Sequence, residues 1–248
     1  MFVFPVFLVS LVILWAATRA GSYWASRGGR QQEDDRADLD VILTASLALL
    51  GLIIGFTFSL ATTRYNQRKD LEAAEANAIG TEYVRAGLLS VPDAERVRQL
   101  LKAYLDQRIL FYMTRQSTQL QQIDARTAQL QKDLWSAVQV PALRDPNCVM
   151  ALAVSGMNDA LNAQAYTQAA YWNHIPFGAW VLMGAISLCC AALVGFAARH
   201  PQGRAGRFFL LPLILSIAFF LIADIDHPRT GIILVHPQNL ESLAQSLR

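Results

Sequence analysis

Four stretches of this chain carry almost no charge and are each long enough to cross a bilayer, which leaves few folds open to it. A spanning helix needs about 20 mainly apolar residues, because lipid offers no partner to an unpaired backbone N–H or C=O. The first stretch starts at Phe2 and is strongly apolar to Ala17, reaching Trp24 if Thr18, Arg19 and Ser22 sit at the interface. The second runs from Val41 to about Thr63, the third from Phe177 to Ala198, and the fourth from Phe208 to Ile225 with Asp224 as its first charge. Pro5 and Pro212 are expected in the first turns of their helices, where a missing N–H costs little. Nothing basic precedes Phe2 and no good small-residue cleavage site follows, so the first block reads as a retained helix rather than a secretory leader. Composition agrees: 54% of residues are apolar and 16% charged, where soluble domains average about 25% charged. Disorder, a collagen-like chain and a small disulfide scaffold are excluded. A net charge of +2 excludes a strongly basic nucleic-acid binder.

Four spans put both chain ends and the long segment 64–176 on one side of the membrane. Basic residues near span ends set orientation, while acids count little. The short loops, about Thr18–Asp40 and Arg199–Arg207, hold Arg19, Arg27, Arg30, Arg36, Arg199, Arg204 and Arg207, against Arg64, Arg68, Lys69 and Arg229 opposite. Seven against four makes the short loops cytoplasmic and the long segment non-cytoplasmic. Tyr23 and Trp24 would mark one interface, and Tyr65, Tyr171, Trp172 and Trp180 the other. Three cysteines, Cys148 and the adjacent Cys189 and Cys190, make no disulfide framework and say nothing of compartment.

Segment 64–176 reads as helices with two proline-marked breaks and no strand. The second span continues into it, with Leu71, Ala74, Ala78 and Gly80 or Thr81 as a small-residue stripe. Ser90-Val91-Pro92-Asp93 is a turn and helix start. Val97, Leu101, Tyr104 and Phe111 keep helical spacing. Leu120, Ile123, Thr127, Leu130, Leu134 and Val138 fall at alternating three- and four-residue steps, which suits an antiparallel helix packed on its neighbour; a self-associating coiled coil is the alternative. Pro141 and Pro146 are expected to close that helix. The next runs from about Asn147 to Trp172, with Ala151, Ser155, Asn158, Asn162, Ala165 and Ala169 as its inward stripe. A short extended piece, Gly231–His236, is expected to pack on this domain.

The second span carries Thr44, Ala48, Gly51, Gly55, Ser59 and Thr62 on one face, and Gly51/Gly55 is a GxxxG pair of the kind that lets helices approach in lipid. The functional reading makes this face pore-lining, with Phe56 and Phe58 as an apolar constriction that gates by dewetting; ordinary helix packing is the alternative. Glu75, Asn77 and Glu82 follow the second span, and Asp224, Asp226 and Arg229 end the fourth. With His174 they would form a polar network at the mouth of the bundle, either an ion site or an Arg–carboxylate brace with Asp226 and Arg229 as a pair. Asp224-x-Asp226-His227 has ligand types that suit a divalent ion but reads better as a helix stop, so no metal is assigned. There is no phosphate loop, nucleotide-binding glycine pattern, His-Glu-x-x-His or nucleophile elbow. The four histidines, His174, His200, His227 and His236, are scattered, and Cys148 lacks a basic partner. No enzyme and no cofactor are expected.

The runs Gly55-Phe56-Thr57-Phe58-Ser59-Leu60, Arg64-Tyr65, Glu75-Ala76-Asn77-Ala78-Ile79-Gly80-Thr81, Asn173-His174-Ile175-Pro176 and Asp224-Ile225-Asp226-His227-Pro228-Arg229-Thr230-Gly231 together resemble the bacterial bestrophin-like membrane proteins, a family of unknown function. The resemblance covers about residues 40–240. In that family the equivalent of Asp226-His227-Pro228-Arg229 more often reads Asp-Arg-Pro-Arg, so His227 departs from it. The name implies kinship with bestrophins, pentameric anion channels with four spans and a cytosolic helical region, a sidedness opposite to that of the charge count.

The expectation is an all-α integral membrane protein of the bacterial inner membrane. Spans one and two occupy 1–63, an inserted helical domain 64–176, spans three and four 177–225, and a tail 226–248. Its partners are the bilayer, further copies of itself and a small ion. The function expected is a homo-oligomeric channel-like assembly; the alternative is a membrane-anchored sensor or scaffold whose helical domain binds a partner.

Overall fold

A computed structural model describes residues 3–27, 33–197 and 205–248. Among them every regular element is helical. They are α1 (Val3–Arg27), α2 (Glu33–Arg85), α3 (Val91–Met113), α4 (Ser117–Arg144), α5 (Cys148–Trp172), α6 (Phe177–Ala197), α7 (Ala205–Asp226) and α8 (Gln238–Ser246), with one 3₁₀ turn at Ala86–Leu88. Among the described residues, four helical stretches are long and apolar enough to cross a membrane. Arg30, Arg199, His200 and Arg204 lie outside the described residues. The chain divides into two compact units: residues 1–63 with 174–233, and residues 64–173 with 234–248.

In the first unit α1 packs on α6 and α7. Glycine is required at the α1–α6 crossing: a Cβ on Gly195 would lie 1.9 Å from the Thr18 carbonyl oxygen, and one on Gly21 would lie 2.0 Å from that of Ala192. Each helix thus presses its backbone into the other's missing side chain, the close approach that small residues permit in lipid. Phe4 and Phe7 meet Phe220 of α7 edge-to-face, at 5.9 and 6.2 Å between ring centroids. α7 starts before the apolar block, so Pro212 lies inside the helix rather than in its first turn. A carbonyl one turn back loses its N–H partner there, which spanning helices tolerate.

The second unit is built on the C-terminal part of α2, from Arg64 onward. Its core joins Ala76 and Ile79 of α2, Val97, Leu101 and Tyr104 of α3, Leu130, Leu134 and Val138 of α4, Met157 and Ala160 of α5, and Leu240 of α8. Ser90 stands at the N-cap position of α3, but its hydroxyl donates to the Asp93 carboxylate at 2.6 Å and accepts no backbone N–H of the helix. α4 buries Ile123, Thr127, Leu130, Leu134 and Val138 and packs against α3 and α5, the arrangement that the three-and-four spacing favours. Pro141 lies inside α4, which runs on to Arg144 before ending. A third break, at 114–116, separates α3 from α4 without any proline or glycine.

The stripe expected to face inward on α5 is turned around. In α5 the buried face is Ala153, Gly156, Met157, Ala160, Thr167 and Ala170, whereas Ala151, Ser155, Asn158, Asn162, Ala165 and Ala169 are exposed. In α2 the buried face is Glu72, Glu75, Ala76, Ile79 and Glu82; of the small-residue stripe, Ala78 packs against this core and Ala74 is exposed. Tyr171 is a core residue, buried between Phe111 and Tyr112, not a membrane-interface aromatic. Residues 234–248, with α8, fall in the same compact unit as residues 64–173.

Candidate functional site

Three groups of candidate residues stand in different settings. The first lies on α2 in the membrane unit. Leu50, Thr57 and Ala61 form its buried face. Thr44, Gly51, Gly55 and Ser59 are exposed and Thr62 half-buried. Nothing lies within 4 Å of where a Cβ on Gly51 or Gly55 would stand, so the GxxxG pair serves no packing within this chain. Thr44 and Thr62 donate their hydroxyl protons to the carbonyls of Asp40 and Phe58 one turn back, at 2.7 and 3.0 Å. Their outward atoms are therefore oxygen lone pairs and methyl groups. Phe58 is 40% and Phe56 63% exposed. At 3.6 residues per turn the two rings leave the helix roughly 200° apart. Phe58 shares the small-residue face and Phe56 does not.

The second group is buried in the helical unit, where three carboxylates of α2 point into the core. Glu75 takes a short charge-assisted bond from Arg108 Nε, and its Oε2 accepts from Tyr112 at 3.3 Å and Thr167 at 3.1 Å. Both members of the ion pair are fully buried. Burial opposes the charged guanidinium of Arg108, but the Glu75 carboxylate outweighs it and holds Arg108 above its ordinary range. Burial, then the same carboxylate charge, pushes the phenols of Tyr104 and Tyr112 upward. Glu72 receives the backbone N–H groups of Asn239 and Leu240 at 2.9 and 3.0 Å and the Asn239 amide at 2.6 Å. It caps α8, satisfying donors that a helix start leaves free. Glu82 is fully buried, and neither of its carboxyl oxygens has a hydrogen-bond partner. Asn77 is exposed and lines a shallow groove between α2 and α8.

The third group closes α7 in the membrane unit. Asp226 accepts the Ile175 N–H on both oxygens, at 3.0 and 3.2 Å. Asp224 accepts those of Ile232 and Ile233, at 2.7 and 2.8 Å. A Cβ on Gly231 would come within 2.5 Å of the Asp224 carbonyl oxygen, so glycine lets the turn close. His174 Nδ1 lies 3.1 Å from the Asp226 carbonyl and His227 Nδ1 3.1 Å from that of Ala223, with the two rings stacked at 5.3 Å. Arg229 is half-buried in the turn that follows. Both aspartates thus hold backbone amides that no helix pairs, Asp224 those of the turn after α7 and Asp226 that of Ile175 just before α6. Among the described residues no group of three or more His, Cys, Asp or Glu could hold a metal ion. The seven residues expected as one polar network divide between the two units, Glu75, Asn77 and Glu82 in one and the rest in the other.

The sequence model of the Bestrophin-like domain matches residues 6–240. The chain belongs to the bestrophin-like family. No curated protein matches it. Among solved structures, this bestrophin-like chain is similar to single-site variants of a bacterial bestrophin homologue from Klebsiella pneumoniae. One has 13% identity over 97% of both chains with a TM-score of 0.67. Another has 12% identity over 100% of this chain and 98% of that one, with a TM-score of 0.65. At such identity the likeness establishes the bestrophin fold: an all-α, multi-pass membrane architecture. In that fold the acids at the end of α7 brace backbone, Glu72 and Glu75 brace the helical unit, and the exposed face of α2 is left without an internal role. Glu72, Arg108 and Thr167 were not singled out from sequence. Arg108 shows no local signal, since its partner lies 33 residues away.

Proposed function

We propose that this bestrophin-like protein assembles with further copies of itself into a channel-like pore whose wall is the small-residue face of α2. One observation carries the reading. Thr44, Gly51, Gly55 and Ser59 form an exposed face on a helix whose Leu50–Thr57–Ala61 side is packed. Lipid gives such a face no reason to be small and hydroxylated, whereas close helix approach or a wetted path does. Phe58 is the constriction, an apolar ring among hydroxyls that gates by dewetting. Phe56, on another side of the helix, faces lipid or a neighbouring copy.

Ion flux in proteoliposomes tests this. Phe58→Ala should raise flux at least severalfold and Phe56→Ala should change it little. If neither wild type nor Phe58→Ala passes ions under any applied voltage or osmotic load, the protein is a membrane-anchored scaffold.

In this reading the helical unit and both chain ends face away from the bacterial cytoplasm, supported by the seven arginines of the short loops under the positive-inside bias. Cys148 is exposed and reports on it. With Cys189 and Cys190 changed to Ala, a membrane-impermeant thiol reagent should label intact spheroplasts. Labelling confined to opened membranes would put the unit in the cytoplasm, as kinship with bestrophins has it.

A further inference from the structure

We infer that Glu82 is a proton-binding site that latches α5 to α2 within the helical unit, closed when its carboxyl is protonated and loosened when it ionises. Glu82 is fully buried with both oxygens unpartnered, in contrast to Glu72 and Glu75 on the same face, whose oxygens are satisfied. Glycine opens the seat: a Cβ on Gly156 of α5 would stand 2.2 Å from Glu82 Oε2 and 2.7 Å from Arg85 Nη1, which shares the space. That leaves a carboxyl pressed against helix backbone with no hydrogen bond on either oxygen and the Arg85 guanidinium nearby but not bonded to it, an arrangement that favours the neutral acid.

The charges around it divide. On α2, Arg85 favours ionisation, and its guanidinium reaches toward the Leu152 carbonyl at 3.5 Å. On α5, Asp159 opposes ionisation. From α3, Arg98 and Lys102 are turned to Tyr83, the first bonding its carbonyl and both lying over its ring. The face of α4 in this core is apolar, with Leu130, Leu134, Ala137 and Val138. Burial, with only partial relief from Arg85, raises the Glu82 carboxyl from 4.5 to about 8.

The sign follows. The closed state keeps its proton up to about pH 8, while an opened, solvated Glu82 loses it near its ordinary value. The latch is therefore tightest below about pH 4.5, weakens progressively as pH rises, and has lost this contribution above about pH 8. The latch acts within the helical unit whether or not the protein conducts.

Two measurements on the full-length protein in nanodiscs test it. Hydrogen exchange, corrected for its intrinsic pH dependence, should show protection of α5 around Gly156 falling at least about tenfold from pH 5 to pH 8, inside the ceiling of roughly 10³ set by the Glu82 displacement. Glu82→Gln, a neutral side chain of the same shape, should abolish that fall. Infrared difference spectra should contain a protonated-carboxyl carbonyl band that survives neutral pH and is absent in Glu82→Gln. Asp159→Asn should move the loss of that band to lower pH and Arg85→Gln to higher pH. An equal fall in protection in Glu82→Gln, or no such band in wild type at neutral pH, overturns the proposal. If Glu82→Gln does not fold, the wild-type band and its movement in Asp159→Asn decide alone.

Discussion

At the scale of single residues, the Arg108–Glu75 pair is the most exposed to mutation because both charges are wholly buried. Removing one partner strands the other in a medium that cannot solvate it. Arg108→Met should cost about 3–5 kcal/mol, whereas the double change Arg108→Met with Glu75→Leu should cost clearly less, since no orphan charge remains. Thermal unfolding of the helical unit in detergent, followed for both single variants and the double, checks this. An additive double variant would mean that the pair is not coupled. Glu75 and Glu82 stood out in the sequence for their closeness to a span, but nothing local distinguished them. Their different fates rest on Arg108, Tyr112 and Thr167, which reach Glu75 from 33, 37 and 92 residues away. None of these reaches Glu82.

Among the helices, legibility tracks contrast between faces. The a/d line of α4 was readable because Leu and Ile alternate with Gln, Asp and Lys. In α5 small residues line both sides, Ala151 and Ala165 outside, Ala153 and Ala160 inside, so spacing alone could not choose a face. The four apolar blocks announced their helices, while the break at 114–116 carries no turn residue to announce it. α8 does have a signal, Leu240, Leu243 and Leu247 after Pro237, at the i, i+3, i+7 steps of an amphipathic helix. Its attachment should depend on Glu72: Glu72→Ala should cost about 1 kcal/mol, the usual worth of an N-terminal cap, and speed protease cleavage near Pro237. The two kinds of glycine in the membrane unit should also separate. Gly55→Leu projects into open space and should leave the unfolding temperature of the chain unchanged while altering assembly. Gly195→Leu drives a side chain into the Thr18 carbonyl and should cost at least about 1–3 kcal/mol.

For the whole molecule, the reading as an assembly predicts more than one copy in native mass measurements from nanodiscs, with Gly55→Leu shifting the copy number or abolishing assembly. A monomer alone would remove the pore. The seat of α1 has a further consequence, for the order in which the protein is made. Its partners α6 and α7 begin about 150 residues after it ends, beyond all of α2 and α3–α5. At bacterial synthesis rates of about 5–20 residues per second, α1 waits roughly 8–30 s in the membrane before the glycine groove of α6 emerges. For that interval Gly21 and the polar Thr18 face lipid or an insertion factor instead of another helix. Chains released before Phe177 should therefore be quality-control substrates: fragment 1–173 expressed alone should be degraded quickly, and co-expression of fragment 174–248 should extend its lifetime in a pulse-chase experiment.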